Sequence, residues 1–154
     1  MKTIKTILVL TIFSILLSSC NNVGMDPIVG IENKYLNKAI KLSIIEDWTS
    51  FNRSEIVAIY IMNISNNLIT IPFDEGIRIF ALEGDEWVEI NQKYDEHYQQ
   101  NQQNLLLLPE DYIPFEFSGD FPDTDEDLLV RVYVLGWEGS ESNMLGAFIE
   151  MKLH

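Results

Sequence analysis

The sequence predicts an all-β fold, an antiparallel sandwich of about seven or eight strands that follows an N-terminal export segment. Three observations lead to this prediction. From residue 39 to the C-terminus, apolar residues recur at alternate positions, which is the period of a half-buried strand. Clusters rich in Asn, Asp, Gly and Ser separate these runs at short intervals. This region shows no amphipathic helical pattern, and a β-barrel is the alternative architecture.

The first twenty residues have the organisation of a secretory signal. Lys2 and Lys5 precede an apolar run at residues 7–17, and small residues follow this run. The run is shorter than the minimum of about 17 residues that a membrane-spanning helix needs. Residues 17–20 read Leu-Ser-Ser-Cys and resemble the lipobox of bacterial lipoproteins, which implies cleavage before Cys20 and attachment of a lipid such as palmitate. A plain secretory signal is the alternative, and it would leave the only cysteine unpaired.

This interpretation divides the chain into three segments. They are a lipoprotein signal peptide at 1–19, the lipidated cysteine with a flexible polar tether at 20–37, and one sandwich domain at 38–154. With Cys20 acylated, no intrachain disulfide can form, so packing has to supply the stability of the domain.

The chain is strongly acidic. Its formal net charge is -14, and loss of the two signal-peptide lysines makes the mature chain two units more negative. Such a surface repels phosphate backbones, which argues against nucleic acid as a partner. It also repels anionic lipid headgroups, so a tether is needed to hold the domain near a membrane, although acidity also simply keeps an exported protein soluble.

The early strands are predicted from alternation and from turn residues. Residues 40–44 alternate apolar and polar side chains, whereas residues 56–62 are apolar on both faces, as in a central strand. After an Asn- and Ser-rich turn at 63–67, residues 69–73 supply the next set of inward-facing side chains.

A hairpin and a long loop are predicted in the middle of the chain. Strands at 77–82 and 87–90 flank a four-residue Glu-Gly-Asp-Glu connection. Residues 91–104 are rich in Gln and Asn and are interpreted as a loop, with a possible helical turn that pairs Tyr94 with Tyr98.

The late strands follow the same alternation. A short apolar run at 105–108 comes first, and the strand at 112–117 contains Pro114, which cannot donate to a ladder and therefore favours a sheet edge. Strands at 128–134 and 147–153 close the chain, separated by a connection that is rich in Gly and Ser and begins at Gly136.

Several of these segments together resemble a known class of domain. The segments are Asn-Ile-Ser at 63–65, Ile-Pro-Phe at 71–73, Gly-Ile-Arg-Ile-Phe at 76–80, Glu-Trp-Val-Glu-Ile at 86–90, and the pairing of 131–136 with 146–150. Over about residues 39–153 they resemble the immunoglobulin-like sandwich domains of small bacterial envelope lipoproteins, most of which have no assigned activity. The Cys…Trp…Cys spacing of antibody domains is absent, so the resemblance implies architecture only.

Catalytic motifs are not found. The sequence has no Gly-x-Ser-x-Gly nucleophile motif. Its two histidines, His97 in the polar loop and His154 at the end, have no cysteine or helical partner for a zinc site. We therefore expect no enzymatic activity and no cofactor.

One acidic turn resembles part of a calcium site. Asp123, Asp125 and Asp127 alternate as in the first half of an EF-hand loop. However, Leu128 replaces the required glycine and Val134 replaces the bidentate glutamate. The segment is thus a solvated acidic turn before a strand, with weak calcium binding as the alternative.

Three tryptophans, Trp48, Trp87 and Trp137, are candidates for aromatic platforms that bind a sugar or a peptide. Trp137 is the leading candidate, because it is predicted to lie just beyond a strand end, beside Gly136 and Gly139. The alternative is that each tryptophan closes one end of the sandwich.

Together these features predict a lipoprotein anchored to a cell-envelope membrane, with its domain on the extracytoplasmic side. The expected function is a non-catalytic interaction module that binds an envelope protein through an edge strand. One alternative is a carbohydrate- or peptide-binding sandwich that uses Trp137. Another is a module resembling secreted protease inhibitors, which presents the loop at 91–104.

Overall fold

The computed structural model describes residues 24–44, 57–72, 75–90, 92–93, 104–122, 126–139 and 144–154. The chain forms two units, Met1–Lys34 and Tyr35–His154. Within the described ranges, the only helical element is a 3-10 turn at Asn33–Tyr35, and no helix is long and apolar enough to cross a membrane.

In the first unit, the described residues form a small closed turn. Met25 and Glu32 make an antiparallel β-bridge. Between them, the Asp26 carboxylate accepts hydrogen bonds from the backbone N–H groups of Ile28 and Val29, at 3.0 and 3.1 Å. Asp26 therefore stabilises this turn with its side chain, as aspartates commonly do.

β-Strands build the second unit, and each strand runs antiparallel to its partners. They are β1 (Ile40–Ile44), β2 (Val57–Asn63), β3 (Ile69–Pro72), β4 (Ile77–Glu83), β5 (Glu86–Glu89), β6 (Gln92–Lys93), β7 (Asn104–Leu107), β8 (Tyr112–Gly119), β9 (Leu128–Glu138) and β10 (Met144–Leu153).

The strands form two sheets. The first has the order β1-β2-β8-β6. In the second, β9 pairs with β10 on one side and with both β4 and β3 on the other, while β5 lies beside β4 and β7 beside β3. If β3 and β4 together count as one strand, this is the order of an immunoglobulin-like sandwich. The predicted all-β antiparallel sandwich is confirmed.

β3 and β4 lie end to end along the same side of β9. Thr70 pairs with Trp137, and the ladder resumes where Ile77 pairs with Val134. A hydrogen bond of 2.7 Å from Gly76 N to the Pro72 carbonyl closes the interval between the two strands. This arrangement places β7, which pairs with β3, at one edge of the second sheet.

The inner faces of both sheets contribute to a single apolar core. The first sheet supplies β-branched and aromatic residues at alternate positions, and the second supplies mainly Ile, Val and Leu. Fully buried members include Ile59, Ile61, Phe115 and Phe117 from the first sheet and Ile71, Ile79, Val132 and Val134 from the second.

Each predicted strand has an observed counterpart, and the differences have local causes. The four-residue hairpin connection is wrong, because Glu83 pairs with Glu86 and leaves only Gly84 and Asp85 in the turn. Gly84 has a φ of 62°, which suits the first position of a type II′ turn. The start of the predicted loop at 91–104 instead forms β6, which pairs with the end of β8.

The prediction that β2 is central is confirmed, since it lies between β1 and β8. Both of its faces are apolar in sequence, but only one of them faces the core. Burial alternates along the strand, and Ala58, Tyr60 and Met62 are only half-buried on the outer face. Pro114 of β8 pairs with Tyr60 of β2. In the sheet order β8 lies between β2 and β6, but β6 pairs only with Ser118 and Gly119, so along Tyr112–Phe117 β2 is the one described strand beside β8.

The connection predicted to begin at Gly136 is also wrong, because β9 continues to Glu138. A Cβ atom at Gly136 would lie 2.6 Å from the Thr70 carbonyl oxygen. The glycine is therefore a site of close approach between β9 and β3 and not the start of a turn. It follows that Trp137 lies within β9 and not beyond its end.

Several sequence predictions fall on residues that the structure does not describe. They concern Cys20, Trp48, Phe73, Tyr94, His97, Tyr98, Asp123 and Asp125.

Asn63, at the end of β2, is a buried polar residue. Its hydrogen bonds connect the first sheet to β7 of the second sheet and to the turn after β7. Its Nδ2 atom donates to the carbonyl oxygens of Asn67 (2.8 Å) and Leu107 (3.0 Å), and its Oδ1 atom accepts from Ser65 N (2.9 Å). Its backbone also forms hydrogen bonds with residues 110–111. Because the side chain uses both donors and its acceptor, it holds β7 against β2.

We expect Gly136→Ala to lower the free energy of unfolding by about 2 kcal/mol or more, because the new methyl group meets a backbone atom that cannot rotate away. The measurement is urea unfolding followed by circular dichroism. Gly84→Ala is the control: no atom lies within 4 Å of its Cβ position, so only the strain of a positive φ, about 1 kcal/mol, should appear. Equal losses in the two variants would contradict the close approach.

We expect Asn63→Ala to lower the free energy of unfolding by about 2 kcal/mol, since buried backbone groups lose their partners. Hydrogen exchange should also accelerate in β7. The matched control is Asn67→Ala, whose exposed side chain makes this change nearly neutral. Unchanged β7 exchange in Asn63→Ala would show that the side chain does not hold this strand.

Candidate functional site

The second sheet carries an exposed apolar surface at the end where β3 and β7 lie. Leu106 and Leu108 are each 59% exposed, and Leu68 and Met144 also rank among the exposed apolar residues. Trp137 lies in the same row of the sheet, between Thr70 and Met144. We call the five residues Leu68, Leu106, Leu108, Trp137 and Met144 the β7 patch.

The alternation of β7 explains why leucines are exposed there. Leu105 and Leu107 point inward and are buried, so Leu106 points to the outer face. β7 is antiparallel to β3, with Leu106 opposite Thr70 and Leu107 opposite Ile69. Within the described segments no strand pairs with its other side, so β7 presents backbone groups as well as leucine side chains.

Acidic residues surround the β7 patch. Glu110 and Asp111 follow β7 in the turn to β8, and Glu138 ends β9 beside Trp137. The segments 64–72, 104–112, 135–139 and 144–145, which build the patch, contain no Lys or Arg. The charged side chains of the segments that build the patch are therefore all acidic.

A shallow cleft adjoins the patch. Asn67, Leu68, Thr70, Glu138 and Gly139 line it, and its volume is about 340 Å³. The lining is more polar than apolar, whereas small-molecule pockets are usually mostly apolar. The cleft thus suits the end of a larger ligand better than a small molecule buried within it.

Trp137, the leading tryptophan of the sequence analysis, is half-buried within β9. Its cross-strand neighbours are Thr70 and Met144, so the register places it beside a threonine and a methionine. It contributes to the β7 patch as one part of an apolar row. The structure does not present it as an isolated ring at a strand end.

Trp87 is part of a different cluster, on the outer face of β4, β5, β9 and β10. The Arg131 guanidinium lies over the rings of Trp87 (4.5 Å) and Phe148 (5.1 Å). Tyr133 packs against Phe148 and is fully buried. Since a cation already covers the Trp87 ring, this tryptophan acts in packing and is not an open platform.

Two ion pairs reinforce this cluster. Arg131 Nε donates to Glu150 at 2.7 Å and its Nη1 donates to the Tyr133 hydroxyl at 3.4 Å. Partial burial lowers the pKa of Arg131, but the hydrogen bonds to Glu150 and Tyr133 outweigh this and leave the pKa raised. All of these groups are matched to partners, so the cluster stabilises the sheet and leaves no reactive group.

Arg78 and Glu89 form the second pair, through two hydrogen bonds of 2.8 and 2.6 Å. The hydrogen bonds from Arg78 hold the pKa of Glu89 below its ordinary value, although partial burial opposes this. Both side chains are substantially exposed to solvent. The pair therefore contributes modestly to stability.

A second exposed aromatic surface lies on the outer face of the first sheet, and the sequence analysis missed it. Tyr112 is 59% exposed, and its ring meets the ring of Tyr60 edge-on, with centroids 5.3 Å apart. Tyr60 pairs with Pro114 across the ladder. The signal in the sequence was the alternation of Tyr112 and Pro114 with the apolar residues Ile113 and Phe115, which places Tyr112 and Pro114 on the face away from the core.

Of the predicted calcium residues, only Asp127 lies in the described part of the chain. Its carboxylate contacts Nδ1 of His154 at 2.5 Å and lies 3.8 Å from Lys152 Nζ. Among the described residues, no cluster of three or more His, Cys, Asp or Glu side chains is arranged to hold a metal ion. Calcium binding by this turn stays a prediction.

Glu89→Gln tests the exposed ion pair through pH. Because the pKa of Glu89 is lower in the folded chain than the unfolded value near 4.5, the pair stabilises the fold above that value. This contribution is lost as the pH falls through the folded pKa. We expect the variant to be less stable than the unaltered chain by under about 1 kcal/mol at pH 7, and equal to it at about pH 2.

Urea unfolding at the two pH values measures this difference. The control is Arg78→Gln made in the Glu89→Gln background, which should add no further pH-dependent difference because the ion pair is already broken. A stability gap for Glu89→Gln that persists unchanged in acid would contradict the assignment of the pair.

No family model matches the chain, and no curated protein matches it. Several solved structures are similar to it. One is the Salmonella enterica SafA pilin in complex with the SafB chaperone, with a TM-score of 0.47 and 9% sequence identity; the match covers 76% of this chain and 55% of that one, so this chain spans little more than half its length.

Another is AvmM, which catalyses macrocyclization in alchivemycin A biosynthesis. Its TM-score is 0.39, its sequence identity is 10%, and the match covers 77% of this chain and 90% of that one. Both TM-scores are below 0.5, so neither similarity assigns an activity or a partner to this chain.

Proposed function

We propose that this chain is a bacterial envelope lipoprotein whose immunoglobulin-like sandwich is a non-catalytic binding module. In this proposal, a lipid on Cys20 holds the chain in a cell-envelope membrane, and the domain faces the extracytoplasmic side. The observation that carries the binding function is the β7 patch, where exposed leucines coincide with a strand edge that no other described strand pairs with.

The anchor is supported by sequence. A short apolar run is followed by Leu-Ser-Ser-Cys at residues 17–20, which resembles a lipobox. Acyl chains on Cys20, with each buried methylene worth about 0.8 kcal/mol, make membrane residence durable when two or more chains are present. A polar segment after Cys20 allows an acidic domain to stand away from anionic headgroups.

The binding role is supported by the kind of surface that the described residues present. Large exposed apolar side chains gathered in one place usually mark an interaction site. In two polar clusters of the described residues, the side chains bind each other. Arg131 forms hydrogen bonds with Glu150 and Tyr133, and Asp127 contacts His154. This pattern favours binding over catalysis.

A second candidate function is carbohydrate or peptide binding by aromatic stacking. The observation that favours it is the exposed ring of Tyr112 beside Tyr60 on the first sheet, rather than Trp137. A role like that of secreted protease inhibitors rests on the loop at 91–104, most of which lies outside the residues that the structure describes.

We expect Cys20→Ser to move the protein from the membrane pellet into the soluble or secreted fraction, because no acyl chain can then be attached. Fractionation with immunoblotting measures the shift. Leu106→Asp, which leaves residues 1–20 unchanged, is the control and should stay in the pellet. The intact mass of the unaltered protein should show removal of 1–19 and added acyl chains on Cys20; an unprocessed chain with a free thiol would contradict the anchor.

A further inference from the structure

We infer that the β7 patch binds an extended apolar peptide segment with Lys or Arg at its ends, which adds to the sheet as a strand beside β7. This inference names the partner chemistry for the proposed binding function and rests on that function. Three independent features of the described residues support it.

The first feature is the difference between β7 and the other strand edges. β5 carries Glu86 and Glu89, and β1 carries the exposed Lys41, charges of the kind that discourage pairing with another chain. The stretch of β8 that has a described strand on one side only carries Pro114 and Glu116, which have the same effect. The edge of β10 is partly occupied, since Asn37 N donates to the Gly146 carbonyl oxygen (2.7 Å). β7 has the sequence Asn-Leu-Leu-Leu and carries neither a charge nor a proline.

The second feature is the spacing of exposed side chains. Leu106 and Leu108 lie on the same face of the chain, two residues apart, and both are 59% exposed. An added strand places alternate side chains on that face, opposite these leucines. Trp137 and Met144 continue the apolar row across the sheet, which gives a long side chain of the partner a surface to cover.

The third feature is charge, which distinguishes among possible occupants. Glu110, Asp111 and Glu138 border the patch, and the segments that build it contain no basic residue. A second copy of this chain would bring the same carboxylates together, and like charges oppose pairing. A segment with cationic ends complements this border, and its apolar centre covers the leucines.

The test uses the full chain purified in a non-ionic detergent and a fluorescent peptide of three Thr-Val repeats with two lysines at each end. Fluorescence anisotropy measures binding. We expect this peptide to bind at least about tenfold more tightly than the same repeat with two glutamates at each end. Equal binding of the two peptides would overturn the charge argument.

Backbone pairing is tested with the unaltered protein, so the result does not depend on how a variant folds. Two further peptides carry N-methyl groups at either the odd or the even positions of the repeat. Because an edge strand pairs through alternate residues, one methylated peptide should lose binding and the other should retain it. Equal behaviour of the two peptides would overturn strand addition.

The site is tested with Leu106→Asp and its matched control Val88→Asp. Val88 lies on β5, another edge strand of the same sheet, and is 39% exposed. We expect at least about tenfold weaker peptide binding for Leu106→Asp and unchanged binding for Val88→Asp. Equal effects would overturn the site. So would a stable dimer of the unaltered chain that Leu106→Asp converts to a monomer, because the patch would then serve a second copy.

Failure of this inference is separable from failure of the proposed function. One outcome is that the peptides do not bind, whereas the Cys20→Ser variant moves from the membrane pellet to the soluble fraction. The proposal of a lipid-anchored binding module is then retained, and its partner has a different chemistry. If Cys20→Ser stays in the pellet, the anchor fails whatever the peptides do.

Discussion

The rest of the fold depends on β9, which has partner strands on both sides over more than half of its length. β10 pairs along one side, while β4 and β3 share the other. Pairing on both sides fixes the register, and the register keeps Val130 and Val132 in the core and Arg131 outside it. The absence of a side chain at Gly136 lets β3 approach β9, and β3 in turn carries β7 to the edge of the sheet. The position of the β7 patch therefore depends on the pairing of β3 with β9 and of β7 with β3.

Local patterns in the sequence account for most of the strands, because alternation of side chains is a property of a few consecutive residues. Residues 40–44 and 128–134 illustrate this, since their inward and outward positions follow directly from the period of two. Pairing partners depend on contacts between distant segments, so the position of β3 against β9 left no local pattern to recognise. Gly136 shows why a single residue is a weak guide to a strand end. The glycine predicted the start of a connection, yet it lies inside β9, where the close approach of β3 leaves no room for a side chain.

The candidate site was predictable only in part. The apolar run at 105–108 indicates a strand with outward leucines, but nothing local indicates that β7 lies at an edge. Trp137 was nominated because it was placed beyond a strand end, and the longer β9 removes that reason. Tyr60 and Tyr112 were missed because aromatic residues within strands usually belong to cores. The lipobox-like motif at Cys20, on which the proposed anchor rests, is different in kind, because it is a linear pattern that can be recognised without a folded surface.

A strand edge made of leucines is also a template on which identical chains assemble. In this protein Glu110 and Asp111 directly follow that edge, so two copies that approach edge to edge meet each other's carboxylates. Such repulsion extends over about 8 Å at physiological ionic strength and only about 3 Å at 1 M salt. Repulsion between these carboxylates therefore opposes self-assembly at the β7 edge, and high salt weakens this repulsion.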